Sequence, residues 1–252
     1  MAEPILSIRN LRKAYAALTV TNDISLDIMP GELHAIIGPN GAGKTTLIHQ
    51  LSGTLPSDSG TIAYLGRDIT HASIEQRVRM GLARSFQITS ILPSFSVLEN
   101  VALAVQSRHG SSFRFFGRAD REAGLNAPAM EALRTVGLEA RSRRLAGTLS
   151  HGEKRQLELA LALATQPRVL LLDEPLAGTG HEESAALIAM MRALKGRHAI
   201  VLIEHDMEAV FALADRVSVL VYGRLLMTGT PEAVRRNAQV REAYLGEETA
   251  PC

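Results

Sequence analysis

Residues 38–46 read Gly38-Pro39-Asn40-Gly41-Ala42-Gly43-Lys44-Thr45-Thr46. From Gly38 to Thr45 the stretch fits the pattern G-x-x-x-x-G-K-[ST], a loop whose backbone wraps phosphate groups. Before it, Leu33 to Ile37 is apolar and β-branched enough for a buried strand; after it, Thr45 to Leu51 reads as a helix. That strand–loop–helix context gives the motif its meaning. Glycines let successive N–H groups turn inward on an anion. The helix start adds unpaired N–H groups and a partial positive charge. Lys44 is placed to reach the β- and γ-phosphates, and Thr45 to ligate Mg²⁺. The expected ligands are therefore nucleotide phosphates and Mg²⁺, with Gly38, Pro39, Asn40, Gly41, Ala42, Gly43, Lys44, Thr45 and Thr46 as the cradle.

A second segment points the same way. Arg168 to Pro175 reads Arg-Val-Leu-Leu-Leu-Asp-Glu-Pro. Four apolar residues followed by two acids describe a buried parallel strand that ends in carboxylates. Nucleotide sites lie at the carboxyl ends of such strands. Asp173 is expected to hold Mg²⁺, directly or through water, and Glu174 to orient or deprotonate an attacking water.

Leu149-Ser150-His151-Gly152-Glu153 precedes a helical run from Lys154 to Thr165. Ser150 with Glu153 three residues later forms a capping box. The N–H groups behind Ser150 open a helix whose positive end faces outward, a second anion site far along the chain from the first. On its own, this segment reads first as an ordinary capped helix.

Taken together, these segments resemble the ATP-binding-cassette ATPases. The phosphate loop, then Ser150 with Gly152, then Asp173 with Glu174 follow that family's order, and the likeness spans essentially the whole chain. The resemblance implies that Gln87, in Ser85-Phe86-Gln87, is the glutamine that senses metal and water. It implies that His205, in Ile203-Glu204-His205-Asp206, contacts the γ-phosphate and that Tyr15 stacks on adenine. Two positions depart from the family pattern. His151 stands where glycine is usual, and Gly180 where aspartate or asparagine is usual.

The implied fold is α/β: a P-loop ATPase core with a parallel sheet, an antiparallel β side sheet carrying Tyr15, and an inserted helical subdomain. Residues 1–252 are expected to form one cassette domain, with 1–87 and 166–252 as the catalytic core and 88–165 as the helical signature subdomain. Strand signals at Ile5 to Leu11, Ile24 to Ile28 and Thr61 to Leu65 build the side sheet. Leu98 to Gln106 and Ala129 to Val136 have helical spacing. A loop is expected from Ser107 to Gly124, with Phe113, Phe115 and Phe116 packed on their own subdomain. Val217 to Val221 and Leu225 to Met227 flank a hairpin turn, and Thr230-Pro231 starts a final helix.

Composition narrows the partners. The chain has 252 residues, 46% hydrophobic, with a formal net charge of +1. That balance gives no electrostatic footprint for nucleic acid. Arg77, Arg79 and Arg84, and Arg141 to Arg144, are expected to lie on solvated faces. The one cysteine is Cys252, which fits a reducing compartment. No export signal is expected, and no run approaches the ~18 apolar residues of a membrane span.

Within the family, Arg84-Ser85-Phe86-Gln87, Leu98-Glu99-Asn100, Glu204-His205-Asp206-Met207 and Ala243-Tyr244-Leu245-Gly246-Glu247 resemble the first ATPase subunit of branched-chain (hydrophobic) amino acid importers. Urea, amide, aromatic-carboxylate and lipopolysaccharide-export systems are related alternatives, and a soluble cassette ATPase is a more distant one. A kinase or GTPase with the same loop does not account for the Ser150 motif. The resemblance implies an ATP-sandwiching dimer with a second ATPase subunit, identical or paralogous. Each ATP would lie between Gly38–Thr46 of one subunit and Ser150–Gly152 of the other. Two transmembrane permease subunits and, indirectly, a periplasmic binding protein complete the implied system. Its place is cytoplasmic, peripheral on the inner face of a bacterial plasma membrane. The apolar residues Ile88, Ile91, Leu92 and Phe95 suggest a permease contact, with Ile91 and Phe95 as the exposed pair.

Overall fold

A computed structural model describes residues 3–85, 91–108 and 123–245. Phe86, Gln87 and Ile88 lie outside the described residues, as do Phe113, Phe115, Phe116 and the segment from 246 to Cys252.

Three strands are buried at every position: β3 (Leu33–Ile37), β7 (Val169–Asp173) and β8 (Ala199–Ile203). Their unbroken apolar runs suit strands covered on both faces. They are the middle of a six-stranded sheet that also holds β6 (Leu82–Arg84), β9 (Arg216–Val221) and β10 (Arg224–Gly229). The order is β10-β9-β3-β8-β7-β6; β10 pairs antiparallel with β9, and the remaining pairs are parallel. A second sheet joins β1 (Leu6–Tyr15), β2 (Leu18–Ile28), β4 (Ser59–Tyr64) and the short β5 (Arg67–Asp68) in the order β2-β1-β4-β5, antiparallel throughout.

Alternation along the parallel strands divides the core in two. Val169, Leu171, Val201 and Ile203 face the side sheet and helix α1 (Lys44–Ser52), packing with Ile8, Ile24, Leu47 and Leu51. Leu170, Leu172, Ile200 and Leu202 face the opposite way. They meet α6 (His181–Leu194) and a group of helices, α3 (Val97–Arg108), α4 (Ala123–Thr135) and α5 (His151–Ala164). Helix α1 is thus clamped between two sheets, which fixes the direction in which its N-terminus points.

Two expectations about exposure are corrected here. Arg77, on α2 (Ile74–Met80), is 2% exposed rather than solvated. Its guanidinium donates to the carbonyls of Gln50, Leu51, Ile69, Thr70 and Ala72, which replace water around the charge. Arg84 is also drawn inward, by Asp173. Ile91, expected to be exposed, belongs to the core beneath α3, whereas Leu92 beside it faces outward with Phe95. Asn100 fixes that choice. It is buried, its Oδ1 accepts from the Leu92 N–H at 2.8 Å, and its Nδ2 donates to the Leu92 carbonyl at 3.1 Å.

Candidate active site

The loop after β3 is shaped by close backbone approach. A Cβ on Gly38 would lie 2.0 Å from the Leu220 carbonyl oxygen, and one on Gly43 would lie 2.4 Å from that of Val20. Gly43 is also at φ +102°, a conformation L side chains rarely adopt, and it is the N-cap of α1 without a side-chain cap. The first-turn N–H groups of α1 therefore remain for a ligand. Lys44 is buried; its Nζ donates to the carbonyls of Gly38 at 2.6 Å and Pro39 at 3.0 Å. Burial lowers the Lys44 pKa, while the carboxylates of Glu174 and Asp173 pull it back up. Lys44, Asp173 and Glu174 thus share one electrostatic neighbourhood. Asn40, Gly41 and Thr45 are exposed at the mouth of the loop.

Register brings the strand ends abreast. Ile36 pairs with Ile203, and Ile203 pairs with Asp173, so one row crosses β3, β8 and β7. Gly38, His205 and Glu174 follow that row on the same rim. Asp173 is 5% exposed, and Glu174 turns out of the strand at φ +47°. The His205 side chain is 63% exposed, its Nδ1 lying 3.7 Å from Glu204. Tyr15 ends β1 and is half exposed, with Lys13 Nζ 5.6 Å from its ring centre.

Two charged residues absent from the expected set complete this rim. Glu204 is fully buried, and its carboxylate accepts the N–H of Leu176 at 2.8 Å and that of His205 at 3.0 Å. It thereby ties the turn after Glu174 to the end of β8. Arg84 donates from Nη2 to Asp173 Oδ2 at 2.8 Å. The sequence signal for both was an ionisable residue at the end of an apolar run.

Ser150 is the N-cap of α5, with the capping box complete. The Glu153 N–H donates to Ser150 Oγ at 3.2 Å, and the Ser150 N–H donates to Glu153 Oε2 at 2.9 Å. The Ser150 N–H, followed by burial acting in the opposite direction and the Arg141 guanidinium, holds the Glu153 carboxyl below its ordinary pKa. These bonds are local: they place Ser150 with the helical group rather than with the residues around Lys44. His151 is exposed. Gly152 is tightly placed, since a Cβ there would meet Glu183 Oε1 at 2.5 Å. Arg155, one turn on, donates to the Ala177 carbonyl at 3.2 Å and links α5 to the turn after Glu174. Gly180 is the N-cap of α6 in an extended conformation, so the positive-φ glycine of this turn is Gly178.

Comparison with known proteins agrees with this geometry. The family described as ABC transporter matches residues 21–177. The LivG high-affinity branched-chain amino acid transport ATP-binding protein of Escherichia coli strain K12 is 36% identical over 256 residues, covering 98% of this chain and all of that one.

The chain belongs to the ABC transporter family.

It is an ATP-binding cassette with ATPase activity. A second family, described as branched-chain amino acid ATP-binding cassette transporter, matches residues 224–250. The BraF high-affinity branched-chain amino acid transport ATP-binding protein of Pseudomonas aeruginosa is 35% identical over 256 residues, covering 98% of this chain and 100% of that one. Among solved structures, the ADP conformation of MJ1267, an ATP-binding cassette of an ABC transporter, superposes with a TM-score of 0.86 at 27% identity. That match covers 97% of this chain and 100% of MJ1267.

Proposed function

We propose that this cassette is the ATP-hydrolysing subunit of an importer for branched-chain amino acids or a related small solute. The solute assignment rests on the LivG and BraF relatives and on the second family match over 224–250. The hydrolysis assignment rests on one observation: two carboxylates, Asp173 and Glu174, leave β7 beside Lys44 at the rim shared with the phosphate loop.

Among the described residues, no group of three or more His, Cys, Asp or Glu could hold a metal. Mg²⁺ does not require one; it takes one or two carboxylates together with substrate phosphate oxygens and water. The hydroxyl of Thr45 and the carboxylate of Asp173 are hard oxygen donors of that kind and would hold it. Bound there, Mg²⁺ would neutralise charge developing on the phosphates. Lys44 shares in that neutralisation from the loop. Glu174 accepts a proton from, or orients, the attacking water, and His205 meets the γ-phosphate from the adjacent strand end. Gln87 belongs to the same set by resemblance, and Tyr15 supplies the aromatic face for adenine.

Ser150 and Gly152, held with the helical group, serve the nucleotide of a second cassette, so that ATP is sandwiched between two subunits. No helix among the described residues is long and apolar enough to cross a membrane. Translocation then requires permease subunits, which would hold the cassette at the cytoplasmic membrane face. A groove of about 340 Å³ lined by Leu92, Leu103, Ala104, Leu161 and Arg84 suits a short amphipathic helix of such a permease.

Glu174→Gln tests the chemistry. We expect ATP binding to persist and steady-state hydrolysis in the assembled transporter to fall by at least ~10²-fold, the scale of lost general-base help. The same variant should form an ATP-dependent dimer by size-exclusion chromatography with light scattering. Near-normal turnover would remove Glu174 from this role.

A further inference from the structure

Arg84 closes the edge strand β6, opposite Leu171 of β7 in the parallel ladder. Its side chain is 9% exposed and that of Asp173 is 4% exposed. The single bond between them, Nη2 to Oδ2 at 2.8 Å, engages one carboxylate oxygen. Arg84 Nε is buried and has no partner among the described residues. The desolvation cost of such an enclosed ion pair commonly matches or exceeds its attraction, so pairs like this are poor sources of stability. A bond to one oxygen does fix the plane of the carboxylate and the direction of the other oxygen. His49 of α1 stands in the same neighbourhood. Burial lowers its pKa, and the Arg84 charge lowers it further while the Asp173 charge raises it. The strands that carry the pair, β6 and β7, both pack on α1, the helix that follows the phosphate loop.

We infer that Arg84 is a positioning residue for the divalent cation, holding Asp173 by Oδ2 so that its other oxygen is presented to the metal. The inference rests on the reading above in which Asp173 holds that cation. Ligating carboxylates are commonly hydrogen-bonded from behind, and loss of such a partner typically costs 10–100-fold in metal affinity. Arg84 suits the task because a guanidinium is planar and its donors have fixed directions.

The test uses Mn²⁺ as the probe. Free Mn²⁺ is counted by its electron paramagnetic resonance signal while the metal is titrated into the full chain saturated with ADP. ADP affinity in EDTA and thermal melting are measured in parallel. Arg84→Met and Arg84→Gln should each weaken Mn²⁺ binding by about 10–100-fold, with metal-free ADP affinity unchanged. Arg84→Lys, which keeps one charged donor, should recover part of the loss. Parent-like Mn²⁺ affinity in either the Met or the Gln variant overturns the inference, as does tighter binding, which would make Arg84 a competitor of the metal. Asp173→Asn separates this from the underlying reading. If that variant also binds Mn²⁺ like the parent, the metal assignment of Asp173 fails first. If it weakens binding while both Arg84 variants do not, the failure belongs to Arg84 alone.

Discussion

Replacing Arg77 with Met should destabilise the cassette more than any change at an exposed arginine. The guanidinium is buried and donates five hydrogen bonds, all to backbone carbonyls. Two of those carbonyls, of Gln50 and Leu51, belong to the last turn of α1, where C=O groups lack the usual intrahelical partner; that of Gln50 also accepts the Gly53 N–H at 3.3 Å. The other three belong to the stretch from β5 to α2. Arg77 thus satisfies a helix end and a connecting segment with one charge. Charge-assisted bonds contribute roughly 1.5–3 kcal/mol each, but five from one group are not additive and offset a large desolvation cost. The change removes the charge and leaves neutral carbonyls short of a donor, at about 1–3 kcal/mol for each that finds no substitute; with two or so left unserved we take about 3–5 kcal/mol as the expected loss. For a domain of this size that is a fall in Tm of roughly 6–20 °C. Urea unfolding followed by circular dichroism measures it, with Arg79→Met on the same helix as a control near zero. A loss below about 1 kcal/mol would mean that water or a rearranged backbone can serve these carbonyls, and the argument would fail.

Two further outcomes follow from the geometry. Burial raises the pKa of Glu158 on α5, with Arg155 and then His151 opposing it. A carboxyl whose folded pKa lies above its unfolded value contributes more to stability in acid, and that contribution falls as pH rises through the window above the ordinary 4.5. Glu158→Gln should therefore raise Tm at pH 7.5 and leave it unchanged at pH 4; equal effects at both would show that the penalty is not electrostatic. At the groove, replacing the exposed Leu92 and Leu103 together by Asp should abolish co-purification with the permease while the isolated cassette keeps its basal ATPase rate. Intact co-purification would move the docking surface elsewhere.

Much of the fold and part of the site could be read from the sequence because the deciding chemistry was local. A phosphate loop, a capping box and an apolar strand ending in acids each occupy fewer than ten adjacent residues; the first two also find their partners inside that span, while the strand is recognised by its run alone and pairs with β6 and β8. Gly38 and Lys44 meet within one loop, and Ser150 meets Glu153 across one helical turn. The arginines fail that condition. Arg77 is satisfied by carbonyls up to 27 positions away and Arg84 by a carboxylate 89 positions away. A pattern of charges on a short helix cannot reveal acceptors supplied by another element, so solvation was the natural reading for both.

The same distinction explains the exchange between Ile91 and Leu92. Both are apolar, and neither lies in a periodic run, so hydrophobicity alone gives no direction. Asn100 decides, because its amide closes a ring of bonds on the Leu92 backbone and rolls Ile91 beneath α3. Glu204 does the equivalent for the other side of the rim, fixing the N–H of Leu176 and of His205 with one carboxylate. Apolar burial is non-directional and tolerates many arrangements of similar volume. It can bring strand ends together but cannot set the angle at which a carboxylate or an imidazole leaves them. In this cassette that angle is carried by enclosed polar side chains with long-range partners, and those are the residues whose substitution should change chemistry while leaving the layers of the fold in place.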